Sequence, residues 1–141
     1  MFKKIALVLG LFFLFASIVS AAKHAPDLVV KDIKVHSSTL EASQTVKIVY
    51  TIKNEGIHPS DPSVTSIKIL SKDGKDTGQS MKKEIPALAP GAFYTTEVKY
   101  SIKQKGNYMI QAIADYNDKI REANETNNYN TLKFSVGIKL K

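Results

Sequence analysis

The sequence predicts an all-β fold, a sandwich of two antiparallel sheets, on three observations. Apolar residues recur at every second position through seven segments, which is the period of a strand with one buried face. Gly, Pro, Asn and Asp separate these segments at short intervals. After residue 22 no apolar pattern of helical period extends over ten or more residues, so helical crossovers between parallel strands are not expected. A small barrel is the alternative all-β architecture.

The first 22 residues have the features of a signal peptide. Lys3 and Lys4 form a positive start, Ile5–Val19 are almost wholly apolar, and small residues follow as a cleavage site. A retained membrane anchor is the alternative, because the apolar run approaches the length that spans a bilayer. The chain contains no Cys, which excludes a lipid-anchored leader. We therefore expect one exported domain, residues 23–141, in the periplasm, at the cell surface or secreted.

The first two strands are predicted at Asp27–Val35 and Gln44–Asn54. In the first, the apolar face switches between Val30 and Ile33, which predicts a bulge or a crossing between sheets. The second alternates most regularly. Its buried face is predicted to consist of Val46, Ile48, Tyr50 and Ile52.

Five further strands follow, separated by turns that contain Gly or Pro. They are predicted at Ser63–Ser71, Gln79–Ile85, Ala92–Ile102, Tyr108–Tyr116 and Tyr129–Leu140. Before the fifth strand, Gly91 offers the positive φ of a type II turn. Seven strands in about 110 residues indicate an immunoglobulin-like two-sheet antiparallel β-sandwich.

Tyr108 begins the sixth predicted strand shortly after Gly106. This position resembles the corner tyrosine of immunoglobulin-type sandwiches, whose hydroxyl bonds to nearby backbone. The alternative is a core tyrosine with its hydroxyl in water.

Residues 114–128 read "ADYNDKIREANETNN" and contain eight Asp, Asn and Glu side chains. Four carboxylates, those of Asp115, Asp118, Glu122 and Glu125, could ligate calcium, which takes six to eight oxygen ligands. The segment lacks the spacing of a known calcium loop, and two basic residues reduce its negative charge.

Two other interpretations of this segment remain open. Asn124-Glu125-Thr126 is an acceptor triplet for glycosylation. Alternatively the segment is structural, because Asn and Asp side chains bond nearby backbone groups that a connection leaves unpaired. In that interpretation Ile120 closes the open end of the sandwich, and Glu122–Asn128 form one short turn in which Asn127 and Asn128 take left-handed geometry.

Four motifs together resemble the CARDB family, the cell-adhesion-related domains of bacteria and archaea. They are "PDLVV", "IKNEG", "IPALAPGA" and the segment 114–128. The signature residues in the last motif are Asp115, Ile120, Glu122, Glu125, Asn127 and Asn128. The resemblance covers roughly residues 26–136 and implies an immunoglobulin-like sandwich on an exported protein with an adhesion or binding role.

The sequence shows no catalytic motif. The three His residues have no metal-ligand spacing, and no thiolate nucleophile is present. No serine nucleophile motif and no Gly-rich phosphate loop occurs. The formal charge is +7, yet the lysines are spread through the strands without the aromatic-basic module of a nucleic-acid binder. We expect neither an enzyme nor a nucleic-acid partner, and contact with a membrane only through the leader.

Two classes of function remain. The chain is a binding or adhesion module that presents loops or a sheet edge to a protein or polysaccharide, or an envelope structural or assembly protein without a ligand of its own. For the first class, the candidate surfaces are the loop "EGIHPSDPS" and the basic outer faces of the sheets. No cofactor is expected, with calcium the one alternative.

Overall fold

The computed structural model describes residues 24–36, 44–71 and 75–137. The predicted leader, residues 1–22, lies outside this range, as do the last residues of the predicted seventh strand. In the described part of the chain there are seven strands: β1 (Leu28–His36), β2 (Gln44–Asn54), β3 (Ser63–Ser71), β4 (Asp76–Ile85), β5 (Phe93–Ile102), β6 (Gly106–Ile113) and β7 (Tyr129–Val136). None of the described residues forms a helix long and apolar enough to cross a membrane.

The strands form two antiparallel sheets, which confirms the predicted fold class. One sheet has the order β1-β2-β5 and the other β4-β3-β6-β7. The pairing of β1 with β2 shifts register between Val30 and Asp32, so the bulge expected in the first strand is present. The edge strands β1 and β7 of the two sheets lie against each other along one side of the sandwich.

The bounds of β2 and β3 agree with the prediction, whereas the sixth strand was predicted too long. It ends at Ile113, not at Tyr116, because the chain turns at residues 114–117. Asp115 has φ 42 there, a left-handed conformation that cannot continue a strand. The alternation of the sequence continues past the turn and therefore hides it.

The core lies between the inner faces of the two sheets and contains the predicted face of β2. Ile48, Tyr50 and Ile52 are fully buried. Tyr100 of β5 reaches across to the other sheet, where its hydroxyl donates to the carbonyl of Ile67 at 2.6 Å. Burial raises the pKa of Tyr100 to about 12, so this hydroxyl is a permanent donor at neutral pH.

The antiparallel topology places the connections at two ends of the sandwich. We call one end the motif pole; it consists of residues 24–27, 55–62, 86–92 and 114–128. We call the other the far pole; its described connecting residues are 75 and 103–105. All four sequence motifs that resemble the CARDB family meet at the motif pole.

Candidate functional site

Asn54, the last residue of β2, is the centre of the motif pole and is fully buried. Its side-chain oxygen accepts from the backbone N–H of Asp27 and of Gly56, both at 3.0 Å. Its amide nitrogen donates to the carbonyls of His58 at 2.8 Å and Leu88 at 2.9 Å. One amide therefore joins residues 24–27, which we call the entry segment, to two loops. All four hydrogen bonds that an amide side chain can make are formed.

Gly56 is required by the close approach of the entry segment. A Cβ at this position would lie 2.3 Å from the carbonyl oxygen of Ala25 and 2.6 Å from backbone atoms of Pro26 and Asp27. These are backbone atoms, which cannot rotate aside. The motifs "PDLVV" and "IKNEG" are thus in direct contact in the folded chain.

The turn before β5 completes this contact. Gly91 has φ 77, the positive value that the sequence predicts for a type II turn, and Ala92 N donates to the Ala89 carbonyl at 3.0 Å. The N–H of Gly91 also donates to the carbonyl of Asn54 at 2.8 Å. The motif "IPALAPGA" therefore closes on the same asparagine.

Glu122 attaches the segment 114–128 to the first strand and is 3% exposed. Its carboxylate accepts from the backbone N–H of Leu28 and from the side-chain amide of Asn128. Burial raises the pKa of Glu122 to about 7, and the nearby carboxylates of Glu125 and Asp115 act in the same direction. Near neutral pH this buried carboxyl is therefore close to half protonated.

Asp115 organises the start of the same segment and is 4% exposed. Its two carboxylate oxygens accept from the N–H groups of Ile120, at 2.9 Å, and Lys119, at 3.3 Å. The N–H of Asp118 donates to the Asp115 carbonyl at 2.8 Å. This brings Ile120 into the core.

The rest of the segment lies along β1. Asn127 donates to the carboxylate of Asp27 at 3.1 Å, and the N–H of Ala123 donates to the carbonyl of Pro26 at 2.8 Å. Asn130, at the start of β7, donates to the carbonyl of Val30 at 3.0 Å. Side chains of Glu122 and Asn130 thus satisfy backbone groups at the outer edge of β1.

The structure does not gather the four carboxylates considered as calcium ligands into one metal site. Asp115 and Glu122 are buried and bonded to amide groups, whereas Asp118 and Glu125 are exposed. Glu125 accepts from the N–H of Glu122 at 2.7 Å. In the described ranges no group of three or more His, Cys, Asp or Glu is arranged to hold a metal ion.

One detail of the structural interpretation is wrong. Left-handed geometry was expected at Asn127 and Asn128, but the described non-glycine residues with positive φ are Asp115 and Asp118, at 42° and 50°. The loop therefore turns at its beginning, directly after β6. Asn124 makes a local turn, in which its side-chain oxygen accepts from the N–H of Thr126 at 3.0 Å.

Tyr108 lies away from these residues, near the far pole. Its hydroxyl donates to the carbonyl of Gln104 at 2.7 Å, and its ring stacks on Phe134 with centroids 5.7 Å apart. This is the backbone contact of a corner tyrosine.

The motif "IKNEG" contains Asn54, a site residue that was not predicted from the sequence. A signal was present: position 54 continues the buried face of β2 after Ile48, Tyr50 and Ile52. A polar residue in a buried register requires hydrogen-bond partners. Its partners are two loops distant in sequence, which a one-strand pattern does not show.

The protein-family comparison matches the CARDB model over residues 25–132, which includes all four motifs. The chain belongs to the CARDB family. The CARDB domain is a non-catalytic domain of the adhesion type. Comparison with curated proteins finds none that matches.

Solved CARDB domains share the fold of this chain. The CARDB domain of a Pyrococcus furiosus protein, solved in complex with di-metal ions, has a TM-score of 0.62 and 24% identity, over 80% of this chain and 94% of that chain. A domain of a Methanosarcina acetivorans protein, named as a cell surface protein, has a TM-score of 0.58 and 20% identity, over 79% and 92%.

The fold also occurs within a larger enzyme. Beta-glucosidase 3B from Thermotoga neapolitana matches with a TM-score of 0.55 and 17% identity, over 80% of this CARDB chain but 16% of the glucosidase. The likeness is therefore to a small part of that enzyme and supports no activity here.

Proposed function

We propose that this chain is an exported, non-catalytic binding module of the cell surface that presents its motif pole to a protein or polysaccharide partner. One observation carries the proposal. Each large hydrophobic side chain that is exposed in the described ranges lies at the motif pole or on the first residue of a strand that begins there. These residues are Ile57 (60% exposed), Phe93 (69%), Tyr116 (38%) and Tyr129 (51%).

Hydrogen bonds and one close contact hold the segments that carry these exposed residues, which favours binding. Phe93 follows the turn that closes on Asn54, and Ile57 follows the constrained Gly56. Tyr116 is held by a bond of 2.8 Å from its N–H to the carbonyl of Val64. Aromatic side chains on pre-organised loops lose little conformational entropy on binding, and aromatic residues are enriched at interfaces.

Of the surfaces expected from the sequence, the loop after β2 belongs to the motif pole and the basic outer faces of the sheets do not. On the outer face of the β1-β2-β5 sheet, Lys31 and Lys53 approach Glu55 at 2.8 and 3.8 Å, and Lys47 approaches Glu97 at 2.5 Å. These pairs offset much of the positive charge of that face. We therefore assign partner binding to the motif pole.

A binding experiment tests this proposal against the alternative of an assembly protein without a ligand. The protein is expressed from its full sequence and incubated with cell-envelope fractions of its source. We expect saturable retention that Phe93→Ser and Ile57→Ser reduce, whereas Lys103→Ser at the far pole does not. Stable self-association in sedimentation experiments, without retention, would support the assembly role instead.

Calcium is the second candidate, because the related Pyrococcus domain was solved with di-metal ions. The four carboxylates considered above do not fit such a site, since their buried members are bonded to amide groups of this chain. We expect the unfolding midpoint to be the same in millimolar calcium and in chelator. A rise of several degrees in calcium would establish metal binding to the folded state.

A further inference from the structure

Each of the two sheets has two edge strands, and three of these four are closed or protected in the described part of the chain. β1 and β7 lie against each other, and side chains of Glu122 and Asn130 bond backbone groups of β1. β4 is bulged around Gly78, at φ 74, where its register with β3 shifts, and it carries exposed lysines at positions 82 and 83. Bulges and edge lysines prevent a sheet from pairing with another chain.

β5 is the remaining edge, and it is open. Its 10 residues, Phe93–Ile102, pair with β2 without a register shift and include neither Gly nor Pro. Most of them are aromatic or β-branched, the residue types that favour strands. Among the described side chains, that of Gln79 bonds the backbone of this edge, donating to the carbonyl of Ser101 at 3.0 Å. That bond is exposed, so a neighbouring strand can replace it.

The pairing of β5 with β2 determines which backbone groups of this edge are free. Asn54 N donates to the carbonyl of Ala92, and the two residues face each other in the register of the strands. The even-numbered residues of β5 therefore direct their N–H and C=O groups to β2, and the odd-numbered residues direct theirs to the open edge. The odd-numbered residues also place their side chains on the exposed outer face: Phe93, Thr95, Glu97, Lys99 and Ser101.

The charges of this edge are complementary to a second copy of the same edge. Glu97 and Lys99 flank Val98. When two β5 strands run antiparallel with Val98 opposite Val98, Glu97 of each strand lies opposite Lys99 of the other. Both residues are odd-numbered, so the free backbone groups also face each other in this register. The neighbouring registers with this property place Glu97 opposite Glu97, or Lys99 opposite Lys99, which repulsion disfavours.

Lys99 lacks an anionic partner within the chain. It lies directly opposite Lys47 of β2, which is a like-charged pair. Glu97 approaches Lys47 at 2.5 Å, and none of the ion pairs found among the described residues includes Lys99. A carboxylate from a second chain opposite Lys99 offsets the repulsion between the two lysines.

We propose that the protein forms a twofold-symmetric dimer in which two β5 strands pair antiparallel about Val98 and join the three-stranded sheets into one continuous sheet. Phe93 lies beyond the end of the partner strand in this register and stays exposed at the motif pole. Because the strands are antiparallel, the two motif poles lie at opposite ends of the joined sheet, so one dimer bridges two partners. The inference goes beyond the binding function proposed above, since it concerns a different surface.

Sedimentation equilibrium of the protein, expressed from its full sequence, measures the dimer, and charge reversal tests its register. Glu97→Lys places like charges at both symmetry-related pairs, as does Lys99→Glu. Each should raise the dissociation constant by about tenfold or more. The two variants mixed have opposite charges at both pairs, so the mixture should form a heterodimer, which also shows that both variants fold. The double variant with both reversals should restore the homodimer.

Amide hydrogen exchange identifies the edge that pairs. The N–H groups of Thr95, Glu97 and Lys99 should exchange more slowly at millimolar than at micromolar protein concentration. Those of Thr96 and Tyr100 face β2 and should be protected at both concentrations.

A monomer at millimolar concentration, reversals without effect, or protection that appears at β4 instead would overturn the dimer. Retention of a monomer on envelope fractions that the reversals abolish would also overturn it, because the edge would then bind another protein. Phe93→Ser should reduce retention and leave the dimer intact, so the dimer and the binding function fail separately.

Discussion

The two poles of the sandwich are closed by different means. At the motif pole, side chains of Asn54 and Glu122 bond backbone groups of other segments, up to 94 residues away in sequence. At the far pole, Tyr108 bonds the carbonyl of Gln104, four residues away. Long connections leave backbone groups without ladder partners, whereas a short turn satisfies its own.

This difference separates two roles that the residues of a sequence motif can have. The polar residues of the motif pole are largely occupied within the molecule, so they form the framework. The groups free for a partner are the exposed side chains that this framework displays, such as Phe93 and Ile57. The comparison predicts that framework variants alter stability and that display variants alter binding.

The largest effect is expected for Asn54→Ala. It removes four buried or partly buried hydrogen bonds, which join Asn54 to backbone groups of Asp27, Gly56, His58 and Leu88. We expect a loss of about 4 kcal/mol in the free energy of unfolding, measured by urea denaturation. The matched variant Asn107→Ala should cost no more than about 0.5 kcal/mol, because its side chain is exposed. Equal losses would show that the poles do not differ.

Gly56→Ala should follow, with a loss of about 3 kcal/mol, since its Cβ would overlap backbone of the entry segment. Gly78→Ala is the control. It has φ 74 but nothing within 4 Å of the added Cβ, so only the cost of the left-handed conformation, about 1 kcal/mol, applies. A smaller loss at Gly56 than at Gly78 would contradict the close contact.

Glu122 makes the attachment of β1 dependent on pH. Its pKa is raised from 4.5 to about 7 in the folded state, so folding favours the protonated form. The stabilisation is complete below pH 4.5 and is lost as pH rises through 7, by up to about 3 kcal/mol. Glu122→Gln has no such proton, and the difference in unfolding free energy between the two proteins should follow this course. A difference independent of pH would show that the carboxyl is not desolvated.

The smallest effect is expected for Tyr108→Phe at the far pole. The ring and its stacking on Phe134 remain, and one exposed hydrogen bond to Gln104 is lost. We expect about 0.5–1 kcal/mol in the same denaturation experiment. A loss as large as that of Asn54→Ala would show that the hydrogen bonds of the motif pole stabilise the sandwich no more than that of the far pole.

The sequence predicts the strands better than the connections. Apolar alternation defined β2 and β3 to the residue, because a buried face leaves its period in the chain. The turn at Asp115 was missed, since its left-handed conformation depends on bonds to Lys119 and Ile120 that no residue pattern records. The role of Asn54 was also beyond the sequence, because its partners at Asp27 and Leu88 lie 27 and 34 residues away.

The hydrogen bonds of β1 to Glu122 and Asn130 constrain the order in which the domain can fold. Leu28 depends on Glu122, and Val30 on Asn130, at separations of 94 and 100 residues. During synthesis the first strand therefore has no partner for its outer edge until almost the whole domain has emerged. A chain of this kind therefore completes its fold late, after most of the domain has been synthesised.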